Sequence, residues 1–186
     1  MALRRGALIL AAGASSRMGT PKALLPWRGT TLLDHALEQA RSASVSEIVV
    51  VLGPATVHLR LDCKTAFNPA PESGRSTSIR VGAAELADDL EAILIQSVDQ
   101  PVPREVLEAL FGAAAEVAIP TYGGRRGHPV CVSSALLEEL RAVTEEEQGL
   151  RAVVRRHAVT EVAVDDASVL WNLNDPAAYA AAMGQR

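Results

Sequence analysis

The sequence predicts a single α/β domain of three layers that spans residues 1–186. Short runs rich in Val, Ile and Leu alternate with segments whose apolar residues recur at helical spacing, which is typical of helices packed on both faces of a sheet. The apolar runs are continuous, and this favours a mostly parallel, mixed sheet whose strands are covered on both sides. A chain of this length buries about 70% of its unfolded surface, so one core is sufficient.

The predicted strands are spread along the whole chain. They are Gly6–Leu10, Glu47–Leu52, Ala92–Val98, Val117–Pro120, His128–Val132 and Val162–Val164. The first four are rich in branched apolar residues, which suit a strand that is buried on both faces.

Three helices carry recognisable start or stop signals. Thr31 can cap a helix with Asp34 three positions on, followed by an apolar stripe of Leu32, Leu33, Ala36, Leu37 and Ala40. Pro103 suits a helix start, with Val106, Leu107 and Leu110 as the buried face and Gly112 as the stop. Asp175 and Pro176 read as the N-cap and first residue of a short helix that ends near Gly184.

Composition and charge exclude several classes of function. A formal net charge of −4 gives no general attraction to nucleic acid or to anionic lipid, and 3% aromatic residues leave few platforms for stacked bases. Cys63 and Cys131 form no CxxC pair, so we expect reduced thiols, with Cys131 as a small core residue. The chain contains no apolar run of the ~20 residues needed to span a bilayer.

The N-terminus has a basic start and an apolar stretch, as a signal peptide would have. Its strongly apolar part covers only Ala7 to Ala12, and Arg17 and Lys22 follow directly. Cleavage would also remove the first core strand. We therefore expect a cytoplasmic protein that acts on neither nucleic acid nor membranes.

The stretch LILAAGASSRMGTP, Leu8 to Pro21, changes abruptly from large apolar residues to small ones and has Lys22 just after it. It matches neither GxxxxGK[ST] nor GxGxxG. Small residues nevertheless let backbone N–H groups turn inward around an anion, and Arg17 and Lys22 add positive charge. The alternatives are a phosphate cradle and an ordinary turn with solvated basic residues.

Carboxylate and amide side chains are candidates for a metal site. Asp99 closes the run Ala92–Val98, which places a carboxylate at the carboxyl end of a central strand, where open α/β sheets bind ligands. In VLWNLNDP, Asn172 and Asn174 would share one face if the segment were a strand. Such oxygen ligands suit Mg²⁺. The amides could equally satisfy the turn before Pro176, and Asn174 is the preferred ligand of the two.

Two further stretches could bind ligands. Asn68–Gly82 offers serines and Gly74 before a helical segment, an arrangement that presents hydroxyl and N–H groups to an anion or a base edge. The string RRGHPV, Arg125 to Val130, places two arginines beside a histidine that could carry a proton or make a merely structural hydrogen bond. In contrast, the acidic residues Glu138, Glu139 and 145–147 read as a solvated helix face and the following loop.

LAAGASSRMGTPKALLPWRGTTLL strongly resembles the N-terminal signature of the MobA-like nucleotidyltransferases, in which LAxGxSxRMGxxK is followed by LLxxxGxxLL. NPAPESGRSTSIRVG, DQP, RRGHPV and GLRAVVRRH follow in the order of the molybdenum cofactor cytidylyltransferase (MocA-like) branch. The resemblance therefore covers nearly the whole chain. It implies a Rossmann-like nucleotidyltransferase domain that moves a nucleotidyl group from an NTP to a phosphate.

The resemblance also implies roles for individual residues. It implies catalytic roles for Arg17, Lys22 and Asp99, and a metal ligand at Asp99. Where many relatives have a carboxylate, as in a DxDTP-like string, this chain has two asparagines, and Asn174 is the preferred second ligand. Acceptor-binding positions are Arg125, Arg126, Gly127 and His128. Nucleotide-binding positions are Leu10, Ala11, Ala12, Gly13, Ser15, Arg17, Met18, Gly19, Lys22, Asn68, Gly74 and Ser78. The implied cofactor is Mg²⁺, with Mn²⁺ as a substitute.

Ala12 indicates the nucleotide, because LAAG is similar to the cytidylyl branch whereas guanylyl relatives tend to have LAGG. The resemblance thus implies CTP as donor and molybdopterin or molybdenum cofactor as acceptor. A molybdenum hydroxylase or its maturation chaperone would be a further partner. Two alternatives remain: transfer to a sugar or alditol phosphate, and a non-catalytic chaperone that binds the molybdenum cofactor.

Overall fold

The structure is a computed structural model, and it describes residues 4–13 and 19–184. Its strands are β1 (Arg5–Ala11), β2 (Pro26–Trp27), β3 (Thr30–Thr31), β4 (Glu47–Leu52), β5 (Lys64–Phe67), β6 (Ala92–Ser97), β7 (Val117–Tyr122), β8 (Arg125–Arg126), β9 (Val130–Ser133) and β10 (Val159–Ala163). Its α-helices are α1 (Leu32–Ser42), α2 (Arg75–Ala84), α3 (Arg104–Gly112), α4 (Leu137–Ala142), α5 (Leu150–Arg156) and α6 (Pro176–Gly184).

One mixed sheet forms the middle layer. Its strand order is β10-β7-β9-β6-β1-β4-β5, with β8 paired to β7, while β2 and β3 form a separate hairpin. β9 runs antiparallel to both β6 and β7, and β8 is antiparallel to β7. The remaining pairings in the sheet are parallel. The predicted mostly parallel, mixed sheet is confirmed.

All six predicted strands are present; Glu47–Leu52 has the predicted bounds, and the others have shifted ends. The fifth begins at Val130 instead of His128, and the sixth covers Val159–Ala163 instead of Val162–Val164. β5 was not predicted, because it is an edge strand in which Ala66 alone is buried, so it has no continuous apolar run. The two-residue strands β2, β3 and β8 are too short to produce a periodic pattern.

Alternate residues of the central strands build two separate cores, one on each face of the sheet. On β1, Ala7 and Ile9 pack with α1 and α3, whereas Leu8 and Leu10 pack with α2 and α4. This two-residue alternation follows from the pleat of a strand. Because both faces are covered, the sequence shows a continuous apolar run instead of an alternating one.

The predicted helix signals have the expected geometry. Thr31 Oγ1 accepts a hydrogen bond from the backbone N–H of Asp34 at 3.1 Å, and all five residues of the predicted α1 stripe are buried. Pro103 is the N-cap of α3, which ends at Gly112. The Asp175 carboxylate accepts from the N–H of Ala178 at 2.9 Å, which caps α6.

Cys131 is a core residue, as predicted. It is 4% exposed on β9, and burial raises the pKa of its thiol to about 12. Within residues 4–13 and 19–184, no helix combines the length and the apolar character that crossing a bilayer would require.

Gly82 of α2 lies where a larger residue would not fit. A Cβ at this position would collide with Leu8 Cδ1 and approach Val51 Cγ2 to 2.6 Å, and both of these side chains are fully buried. We expect Gly82→Ala to lower the free energy of unfolding by about 1–3 kcal/mol through overpacking, measured by urea denaturation. Gly112→Ala is the control, since a Cβ there meets open space. Equal stability of the two variants would contradict this packing.

Candidate functional site

A cleft of about 400 Å³ opens at the carboxyl edge of the sheet, where β1 and β6 end next to each other. This position is the usual ligand site of an open α/β sheet. The residues that line the cleft are Leu10, Ala11, Ala12, Gly13, Lys22, Pro71, Arg75, Ser78, Ser97, Val98, Asp99 and Asn174. Eight of the predicted site residues are therefore gathered here from five separate parts of the chain.

Lys22 connects the two predicted metal ligands. Its Nζ lies 2.6 Å from Asp99 Oδ2 and 2.7 Å from Asn174 Oδ1. The side chains of Lys22 and Asp99 are 16% and 15% exposed, so this charged contact is largely screened from water. The result is a bridged group of one cation, one carboxylate and one amide at the mouth of the cleft.

The backbone around Asp99 is held on three sides. The N–H of Val98 donates to the carbonyl of Leu10 at 3.2 Å, and the N–H of Leu173 donates to the carbonyl of Asp99 at 3.0 Å. Gln96, which is fully buried, donates from Nε2 to the carbonyl of Gln100 at 3.0 Å. Asp99 thus lies in a rigid turn directly after a central strand, as the sequence predicted.

The segment around Asn172 and Asn174 is not a strand, so of the two alternatives the turn before Pro176 describes its backbone. Residues 171–174 have no regular secondary structure, and the N–H of Asn174 donates to the carbonyl of Asn172 at 2.8 Å in a tight turn. This turn separates the two amides, so that Asn174 lines the cleft whereas Asn172 does not. The preference for Asn174 is consistent with this arrangement.

The donor set around Lys22 fits a hard divalent cation. The oxygens of Asp99 and Asn174 converge on a single positive group, the lysine ammonium. Within residues 4–13 and 19–184, no cluster of three or more His, Cys, Asp or Glu side chains could enclose a metal. One carboxylate completed by substrate phosphates is the usual magnesium arrangement in phosphoryl-transfer sites.

The loop before α2 supplies both scaffold and lining. Asn68 is 2% exposed and donates from Nδ2 to Thr77 Oγ1 and Ser78 Oγ at 2.9 Å each, so its amide holds the loop together. Ser78 lines the cleft, whereas Asn68 and Gly74 do not. Gly74 has a φ of +109°, which favours glycine, and it immediately precedes α2.

Arg75 is a site residue that sequence reasoning missed. Its side chain lines the cleft, where it remains accessible to water, while the surrounding protein lowers the pKa of the guanidinium by desolvation. Asp99 and Glu145 oppose this shift, and Arg151 adds to it. The sequence signal that could have identified Arg75 is a lone cation among small polar residues at a helix start.

Glu145 corrects the expectation of a purely solvated acidic run. Its Oε1 accepts a hydrogen bond from the backbone N–H of Ser76 at 2.5 Å, and its side chain packs directly over Gly74. The hydrogen bonds to Ser76 lower the pKa of this carboxyl. Glu145 therefore caps α2 from a distant loop, even though the residue is exposed.

The predicted acceptor residues separate in space. Arg125 and Arg126 form the exposed strand β8, where Arg126 pairs with Glu161 at 2.8 Å, and neither residue lines the cleft. A Cβ on Gly127 would collide with the carbonyl of Val169, so this glycine serves close packing. His128 is half-buried, and its pKa is lowered by burial and then by Arg75. Acceptor binding by these four residues stays a prediction.

Part of the predicted phosphate loop lies outside the described residues. This applies to Ser15, Arg17 and Met18. Leu10 to Gly13 line the cleft, and Gly19 has a φ of +66° without reaching the lining. The roles predicted for these loop residues remain predictions.

The domain has three layers, and a small-residue segment, a lysine and a carboxylate lie at the carboxyl edge of its sheet. This combination is the one expected of a nucleotidyltransferase. A family model described as the MobA-like NTP transferase domain matches residues 7–162. The chain belongs to this family.

Several curated proteins are similar in sequence. Nicotine blue oxidoreductase of Paenarthrobacter nicotinovorans is 32% identical over 80% of both chains. 2-C-methyl-D-erythritol 4-phosphate cytidylyltransferase of Streptomyces avermitilis is 33% identical, over 91% of this chain and 80% of that protein. Molybdenum cofactor cytidylyltransferase of Escherichia coli K12 is 29% identical, over 91% and 90%. Bifunctional GlmU of Caulobacter vibrioides also matches at 29%, but the chain spans only 40% of its length.

Solved structures agree with the fold. The crystal structure of Rv0371c from Mycobacterium tuberculosis H37Rv has a TM-score of 0.86 and 30% identity, with 98% of each chain covered. A manganese complex of Rv0371C superposes with a TM-score of 0.82 and 27% identity over 98% and 99%. The predicted Rossmann-like nucleotidyltransferase fold is confirmed, and this similar protein binds a divalent metal.

The charges of Arg75, Arg151 and Asp99 all influence the pKa of His128. The two arginines lower the pKa of the imidazole and Asp99 raises it, with burial as the largest cause. We expect Arg75→Gln to raise the pKa of His128 toward its ordinary value of 6.5, measured by NMR titration of the ring signals. Arg80→Gln, on an exposed position of the same helix, should leave that pKa unchanged. A His128 pKa that does not respond to Arg75→Gln would contradict the arrangement.

Proposed function

We propose that this protein transfers CMP from CTP to the phosphate of molybdopterin or molybdenum cofactor, forming a cytosine dinucleotide and releasing pyrophosphate. The observation that carries the proposal is the convergence of Lys22, Asp99 and Asn174 beside the backbone of Leu10 to Gly13 in one cleft. This group combines a cation for phosphates with oxygen ligands for a divalent metal. Family membership supports the reaction class.

The reaction is an in-line displacement. An anionic oxygen of the acceptor phosphate attacks the α-phosphorus of CTP, a new P–O bond forms, and the bond between the α-phosphorus and the bridging oxygen breaks. The electron pair of that bond leaves with pyrophosphate. The acceptor oxygen is already ionised near neutral pH, so the protein supplies positioning and charge neutralisation instead of a strong base.

The residues of the cleft divide this task. The backbone of Leu10 to Gly13 approaches the triphosphate, and Lys22 adds a positive charge to it. Asp99 and Asn174 would hold Mg²⁺, or Mn²⁺ in its place. That ion would neutralise the negative charge that collects on the triphosphate during transfer. The manganese complex of the similar protein supports a divalent metal.

CTP and the molybdenum cofactor are the preferred substrates for two reasons. The segment Leu10 to Gly13 reads LAAG, as in the cytidylyl branch. Two of the similar proteins are named as cytidylyltransferases, and one of them is named for the molybdenum cofactor. A molybdenum hydroxylase or its maturation chaperone as a partner, and a cytoplasmic location, stay predictions.

Incubation with Mg²⁺, molybdopterin and each of the four NTPs tests the proposal. We expect pyrophosphate release and a dinucleotide product with CTP and little turnover with GTP, ATP or UTP. A parallel set of reactions with sugar and alditol phosphates tests the alternative acceptor class. NAD(P)H oxidation is followed in the same mixtures, because one similar protein is named an oxidoreductase. Turnover only with a sugar phosphate, or cofactor binding without pyrophosphate, would overturn the proposal.

Asp99→Ala should lower kcat/KM by about 100-fold or more, because it removes the one carboxylate of the bridged group. Far-UV circular dichroism and the melting temperature should show an intact fold. Asp62→Ala is the matched control, since Asp62 is an exposed aspartate just before β5, at the opposite edge of the sheet. An active Asp99→Ala enzyme would refute the assignment of Asp99.

A further inference from the structure

Two arginines lie at the starts of α2 and α5, and of these Arg75 lines the cleft whereas Arg151 does not. Arg75 is the first residue of α2 and lines the cleft together with Asp99. Arg151 is the second residue of α5. The two helix starts are packed against each other, since a Cβ on Gly149, just before α5, would collide with Ser76 Oγ of α2. Both arginines therefore belong to the same corner, which we call the arginine corner.

The two guanidinium groups have no direct polar partner among the residues that the structure describes. Within residues 4–13 and 19–184, neither of them makes a hydrogen bond or an ion pair. Desolvation is the main cause that lowers the pKa of Arg75; Asp99 and Glu145 oppose the shift through space, and Arg151 adds a smaller like-charge repulsion. Two like charges held close together are unfavourable until an anion lies between them.

The carboxylates that face Arg75 are already engaged. Asp99 pairs with Lys22 at 2.6 Å, and Glu145 accepts the N–H of Ser76 at 2.5 Å. Burial and then Arg75 lower the pKa of His128, Asp99 opposes the shift, and Arg151 adds to it, so the neutral form of the ring is favoured. The two arginines therefore outnumber the carboxylates left to face them, and an imidazole lies within their electrostatic reach.

We propose that Arg75 and Arg151 bind the phosphate monoester of the acceptor, with His128 as a hydrogen-bonding neighbour. Guanidinium groups suit this ligand, because their paired N–H donors match phosphate oxygens. This inference rests on the proposed function, since it assigns the second substrate of the same cleft. It adds two residues that the sequence-based acceptor positions do not include.

Both arginines act electrostatically on His128, one of the predicted acceptor positions, and this favours the acceptor over the donor. Leu10 to Gly13 follow β1, and the donor triphosphate is proposed to bind them together with Lys22. His128 lies just before β9, on the other side of β6 in the strand order. In an in-line displacement the attacking acceptor oxygen and the leaving pyrophosphate lie on opposite sides of the α-phosphorus. The acceptor phosphate thus requires a separate cationic site, and the arginine corner provides one.

Steady-state kinetics give the first test. Arg75→Gln and Arg151→Gln should each raise the KM for molybdopterin by about tenfold or more, as expected for loss of a charged hydrogen bond. The KM for CTP should stay within about twofold of wild type, and Arg→Lys at each position should restore only part of the loss. Controls are Arg80→Gln on α2 and Arg155→Gln on α5, which should behave as wild type.

A binding experiment decides the inference independently of turnover. Inorganic phosphate is titrated into the nucleotide-free protein, and the ring signals of the four histidines are followed by NMR at constant pH. We expect the His128 signal, assigned with His128→Gln, to shift in the wild type and in both control variants. The shift should be lost in Arg75→Gln and Arg151→Gln. Both outcomes together establish the arginine corner as a phosphate site even if molybdopterin is not the acceptor.

Two results would overturn the inference. One is a phosphate-dependent shift of His128 that persists unchanged in both arginine variants. The other is an increase in the KM for CTP without an increase in the KM for the acceptor, which would assign the arginines to the donor triphosphate. Failure of the proposed function has a different signature, namely the absence of CTP-dependent product in the wild-type enzyme.

Discussion

The contact of Lys22 with Asp99 and Asn174 is the constraint around which the cleft is arranged. It joins residues that are 77 and 152 positions apart in the chain, with distances of 2.6 and 2.7 Å. A carboxylate that is only 15% exposed needs a partner, because an unpaired charge in such a place is strongly disfavoured. The lysine provides that partner and at the same time brings a positive charge to the edge of the cleft.

This contact is possible only because the sheet fixes its participants. β1 and β6 are parallel neighbours, so the loop after β1 and the turn after β6 emerge side by side. The buried amide of Gln96 and the carbonyl of Leu10 then hold the turn that carries Asp99. The segment 171–174 is fixed to the same turn through Leu173, which places Asn174 opposite Lys22. Rigid backbone on three sides limits the freedom of these polar side chains, as preorganised sites require.

The two sides of the cleft are built from different parts of the chain. The β1 side contains small residues and Lys22. The side of α2, α5 and His128 contains Arg75, Arg151 and the distant cap Glu145. Similar proteins have names that refer to different substrates, among them an erythritol phosphate and the molybdenum cofactor. Variation confined to the second side would change the acceptor while the chemistry at Asp99 is kept.

The sequence by itself determined the layers of the fold and the residues that line the β1 side of the cleft. Continuous apolar runs such as Glu47–Leu52 predict doubly covered strands, and the caps at Thr31 and Asp175 act over three residues, so both features are local. Asp99 could also be found locally, because a strand end and a carboxylate are adjacent in the chain.

Only the tertiary structure decided which residues complete the site. Arg75 reads locally as a helix-start residue, and Glu145 as part of a solvated acidic run. Their proximity depends on how the loop at 145 packs over Gly74, which no periodicity records. The residue pattern around Asn172 likewise left strand and turn open, and the hydrogen bond between Leu173 and Asp99 goes with the turn. Local patterns determine the helices and strands and where they end. Long-range packing brings charged side chains together, and it decides which polar residues belong to the site.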